Sequence, residues 1–183
     1  MPLSINFNSK YRVPRILKEK YEYVPFKYTV YQLTMSDGST VTLDIRKQLT
    51  DAWNYLEGHC ARSKGCNEYF SRLAGKKTLA EWMKHTDFVI HLLSPRARNA
   101  RTGKEYKQED LPQANSAGSD IGFSLYTFLD NRQDTPALAA VLLHEIAHCA
   151  GATTNASAPN SLEAENALLP CGLGKYFQRD ARG

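Results

Sequence analysis

The alternation of apolar and polar residues divides the chain into strands and helices. Residues 28–35 are rich in strand formers, and residues 40–45 alternate with a period of two. Ser36-Asp37-Gly38-Ser39 between them is a turn signal, so a β-hairpin is predicted. From Arg46 to Ala61 the period lengthens, and Leu49, Trp53 and Leu56 fall on one helical stripe beside Ala52. Shorter helices are expected over 67–74, grouping Tyr69, Phe70 and Leu73, and over 78–85, carrying Leu79 and Trp82. Residues 88–93 form a continuous apolar run, which reads as a buried strand. Residues 119–128 alternate again, with Ile121, Phe123 and Leu125 on one side of a predicted strand. Residues 137–143 are apolar nearly all round, the mark of a buried helix. Thr135 as cap and Pro136 at the first helical position start it, and Gly151 stops it. A last short helix is expected from Asn160 or Ser161 to Pro170, with Leu162, Leu168 and Leu169 on its apolar side.

The buried helix carries the most specific chemistry, His144-Glu145-Ile146-Ala147-His148. Side chains four apart share one helix face, so both imidazoles can meet one metal ion from the same side. Glu145 is turned about 100° from His144, which sets its carboxylate beside the ion, where it can take a proton from water. As independent draws from this composition, the pattern arises about 0.007 times by chance. Two imidazoles and a carboxylate in the last turns of an apolar helix are costly without a common partner.

A catalytic zinc takes three protein ligands and keeps a fourth position open. Residues 152–160 contain no His, Asp or Glu, so the third ligand is sought in the last helix, at Glu163 or Glu165. These stand about 200° apart on a helix. Glu165 falls on the apolar side and is the favoured ligand, with Glu163 as the alternative or as a helix cap. Asn166 is a candidate to orient a ligand histidine through its outer nitrogen. Tyr176 is a candidate donor to a developing oxyanion. His59, His85 and His91 are read as structural.

Composition narrows the setting. At 183 residues with 42% hydrophobic content, the chain is expected to form one domain, preceded by a basic arm over 1–26 that carries Lys10, Arg12, Arg15, Lys18 and Lys20. A net charge of +4, scattered along the chain, gives no expectation of nucleic-acid binding. The polar connection 95–118 carries five Arg and Lys by residue 107 and suits a binding loop for an acidic substrate. No apolar run is long enough for a membrane span, and residues 1–7 lack a signal-peptide core. The four cysteines form an even set, which leans toward an oxidising destination. Proximity in the chain pairs Cys60 with Cys66 and leaves Cys149 for Cys171.

The motif with a downstream helical glutamate resembles the zincin metallopeptidases, particularly the gluzincin branch, over roughly residues 119–170. The resemblance implies an α+β fold: a small mixed sheet, a backing helix at 46–61, and an edge strand at 119–128 that pairs with substrate. The motif helix and a C-terminal glutamate helix complete it. It implies one Zn2+ per chain on His144, His148 and Glu165 (or Glu163), Glu145 as general base, and a protein or peptide substrate. Thr154 stands where the metzincin branch has its third ligand. No aspartate stands four residues after either glutamate, unlike the thermolysin-like arrangement, and the return from His148 is short for a gluzincin. Small zincins of this kind occur among secreted bacterial toxins and effectors, which implies secretion or delivery to an oxidising compartment. The same residues also suit a peptidoglycan peptidase or amidase, or a non-catalytic zinc-stabilised binding or toxin module.

Overall fold

A computed structural model of the chain describes residues 3–14, 21–95, 114–153 and 162–176. The fold is α+β, with a mixed five-stranded sheet, a separate hairpin and, among the described residues, six α-helices. The apolar run becomes β5 (Phe88–Pro95), at the centre of the sheet. On one edge β5 pairs in parallel with β7 (Asp120–Phe123), matching Ile90 to Ile121 and His91 to Gly122. On its other edge β1 (Leu3–Ile5) runs parallel along Phe88–Ile90, and β2 (Tyr21–Val24) runs antiparallel along Leu92–Pro95. β6 (Ala114–Ala117) pairs antiparallel with β7 and forms the outer strand.

Two expectations change here. The stretch read as an irregular basic arm supplies β1 and β2, with Leu3 and Tyr23 buried. Strands of three and four residues carry too little periodicity to announce themselves, and pairing to β5 defines them. Residues 119–128 are not one strand, nor do they form the edge. Backbone pairing ends at Phe123, and the Ser124 hydroxyl accepts from the Thr127 amide, capping α4 (Leu125–Asp130). Residues 96–113 of the polar connection lie outside the described residues.

The hairpin forms as expected, from β3 (Val30–Thr34) and β4 (Thr40–Asp44), with Gly38 at φ +81° in the turn. Asp44 caps α1 (Ile45–Tyr55), whose stripe of Leu49, Ala52 and Trp53 is buried, and a π-turn over Leu56–Cys60 follows. α2 (Lys64–Arg72) and α3 (Leu79–His85) come next, α3 with a Thr78–Glu81 capping box. The motif helix is α5 (Thr135–Cys149). Its cap is Asp134 rather than Thr135: the Asp134 carboxylate accepts from the Ala137 amide at 3.0 Å. Leu138, Leu142, Leu143 and Ile146 sink α5 between α1 and β6. α6 (Glu163–Asn166) packs against α5. Among the described residues no helix is long and apolar enough to cross a membrane.

Candidate metal centre

The apolar flanks of α5 fix its last two turns, and the two motif histidines converge there. Nε2 of His144 lies 2.9 Å from Nε2 of His148, with the rings edge to face at 4.6 Å. Both residues are half-buried. Burial, reinforced by His148, lowers the His144 pKa to about 4, so this ring is neutral near pH 7. Neutral imidazole is the form that binds metal. The outer nitrogen of His148, Nδ1, lies 3.2 Å from the Ala152 carbonyl. Donation from Nδ1–H to that oxygen leaves the Nε2 lone pair directed at the convergence point. The acceptor that orients His148 is therefore a backbone carbonyl and not Asn166.

Gly151 makes this contact possible. It turns the chain at φ +94°, and a Cβ there would lie 2.7 Å from Cβ of Ala74. Glu145 is 4% exposed, on the flank of the helix beside Cys149. Burial, followed by the Glu145 charge, pushes the Cys149 thiol up to about 12, so it stays protonated.

The two downstream carboxylates differ in what holds them. Oε2 of Glu163 accepts from the Thr153 amide at 2.8 Å and from its hydroxyl at 3.1 Å, which ties α6 to the chain just past the motif helix. Oε2 of Glu165 is buried and, among the described residues, has no hydrogen-bond partner. A carboxylate oxygen so placed carries a desolvation cost that a cation would relieve. Among the described residues no three His, Cys, Asp or Glu side chains form a group placed to hold a metal ion. The pair is assembled, and the third donor is not brought onto it.

The donor set fits zinc in its chemistry. Two nitrogens at about 2.0–2.1 Å from a tetrahedral zinc stand about 3.3 Å apart, a small opening from the observed 2.9 Å. Tyr176 is not brought to the pair. Its hydroxyl donates to Oδ1 of Asp134 at 2.7 Å, at the opposite end of α5.

The other three histidines sit on other elements. His91 is fully buried, with Nδ1 3.1 Å from Asn6 Nδ2 and Nε2 2.6 Å from Asp120 Oδ1, and it stacks on Tyr23. His59 stacks on Tyr55, and His85 lies in the last turn of α3.

The disulfide pairing departs from expectation. Cys66 bonds Cys171, and Cys60 and Cys149 are free thiols. Chain proximity misled because residues 56–60 and the start of α2 place Cys60 and Cys66 on separate turns. Cys60 instead donates its thiol to the Cys171 carbonyl at 3.3 Å. Three supporting groups carried no signal in the sequence: Ala152 through its carbonyl, Thr153, and Tyr69, whose hydroxyl donates to the Glu163 carbonyl at 2.6 Å. No family model, curated protein or solved structure matches this chain.

Proposed function

We propose that this chain is a zinc-dependent metallopeptidase that hydrolyses a peptide bond, built on a zincin-like plan. The observation that carries this reading is the 2.9 Å approach of the two Nε2 atoms at the end of a buried helix, with Glu145 on the adjoining flank. His144 and His148 supply two ligands. Glu165 is the preferred third, because among the described residues its buried oxygen lacks a partner while the Glu163 carboxylate is engaged by Thr153. Zinc bound there would lower the pKa of a water molecule toward neutrality and polarise the scissile carbonyl.

The protein's own groups do the rest. Glu145 takes the proton from the attacking water and returns it to the departing amine. The Ala152 carbonyl holds the His148 ring in register. α1, packed behind α5, serves as the backing helix. Among the described residues β6 is the outer strand, and it lies against α5, so an extended peptide can add to its edge and lie across the site. The Cys66–Cys171 bridge suits work in an oxidising compartment, by secretion or delivery.

The test is zinc stoichiometry and peptide-library cleavage for the full chain and for Glu145→Gln. One zinc per chain with chelator-sensitive cleavage, and a variant that keeps zinc but does not cut, is the expected result. Equal cleavage by the variant would refute the assigned base. Zinc binding without cleavage of proteins, peptides or peptidoglycan fragments would leave a structural zinc module.

A further inference from the structure

The segment that carries the third ligand is built to depend on a covalent tie. α6 has four residues and no side-chain cap. A helix that short does not hold itself, so its position comes from tertiary contacts. On one side Thr153 holds the Glu163 carboxylate. On the other, the region from the π-turn to α2 grips both ends. Tyr69 donates to the Glu163 carbonyl at 2.6 Å, Ser63 donates to the Pro170 carbonyl at 3.2 Å, and Cys60 donates to the Cys171 carbonyl at 3.3 Å. Across the same seam runs the Cys66–Cys171 bond, joining positions 105 residues apart. The free thiol nearest the bond, Cys60, is buried, which raises its pKa to about 11. Thiol–disulfide exchange requires a thiolate, so Cys60 leaves the pairing intact.

We propose that the Cys66–Cys171 bond is a redox lock on the metal centre: it holds α6, and with it Glu165, against α2, and its reduction lowers zinc affinity. This rests on the reading of Glu165 as third ligand. Reduction by a dithiol breaks the S–S bond, passes two electrons and two protons to Cys66 and Cys171, and leaves the reductant as its own disulfide. Among the described residues, three neutral hydrogen bonds and the apolar burial of Ala164, Ala167, Leu168 and Leu173 then remain to hold the segment.

The experiment measures zinc affinity of the full chain by competition with a chromophoric chelator, comparing the oxidised protein with a Cys66→Ser/Cys171→Ser variant, which adds no thiol that could bind zinc. The expected result is a loss of about tenfold or more in the variant. Cys60→Ser is expected to bind as tightly as wild type. The zinc-free wild type is also followed by amide hydrogen exchange before and after reduction with a water-soluble phosphine. Residues 162–173 are expected to exchange faster and residues 138–147 to be unchanged, a readout that survives misfolding of the variant. Unchanged affinity in a folded variant, or unchanged exchange over 162–173, overturns the lock and leaves the peptidase reading standing. Oxidised wild type that binds no zinc overturns both.

Discussion

His91 and the pair His144–His148 show two ways a protein can keep imidazole out of water. His91 has a partner on each ring nitrogen, Asn6 on one and Asp120 on the other, and a tyrosine face against it. Nothing about it is left to bind. His144 and His148 have their Nε2 atoms turned on each other, with one backbone carbonyl orienting the second ring. The first arrangement joins β1, β5 and β7, and the second concentrates lone pairs at one point. Burial separates them by degree, full for His91 and partial for the pair, and the destination of each ring nitrogen separates them in kind.

That contrast predicts opposite outcomes for replacement. His144→Ala should abolish stoichiometric zinc and with it hydrolysis, measured by metal analysis and peptide turnover; a variant retaining one zinc per chain would defeat the metal assignment. Glu145→Gln should lower kcat about 10²–10⁴-fold while zinc content stays at the wild-type level. His91→Ala should act on stability instead, because it opens a cavity and removes one partner each from Asn6 Nδ2 and Asp120 Oδ1. A cost of about 3 kcal/mol is expected in denaturant unfolding, with turnover per folded molecule unchanged.

The pH response tests the paired site. The His144 pKa is lowered to about 4 in the folded protein, from an ordinary value near 6.5. Between those values the unfolded chain takes up a proton that the folded chain refuses, so stability falls as pH falls through this window. The zinc-free protein should lose up to about 3 kcal/mol from this group between pH 7 and pH 4, and thermal melts should show the loss reduced in His144→Ala. Gly151→Ala gives the smallest effect, about 1–2 kcal/mol by thermal or denaturant unfolding, since Cβ meets Ala74 and the residue must hold a positive φ.

Much of this was legible in the sequence where the pattern was long. The hairpin, α1, β5 and α5 follow from periodicity and turn residues, and the motif located the two histidines and Glu145 before any coordinate. What escaped was set by partners distant in the chain. β1 and β2 exist as strands because β5 pairs with them. Residues 119–128 split because Ser124 caps a helix, a role that alternation alone does not distinguish from continued strand. Cys66 meets Cys171 because α2 lies against the C-terminal segment, and no spacing rule encodes that. The helical wheel did not separate Glu163 from Glu165: of the apolar side drawn through Leu162, Leu168 and Leu169, only Leu168 is buried, and what distinguishes the two carboxylates is Thr153 on Glu163.

The strand order has a consequence in time. β1 finds its partner at Phe88–Ile90, some eighty residues later in the chain, and β5 in turn receives β7 only at Val89–Leu92 with residues 120–123. Pairings of such separation are entropically expensive to close and slow a chain's first arrival at its native topology. β1 is therefore synthesised long before its docking edge, and α5, which packs against α1 and β6, comes later in the chain than that edge.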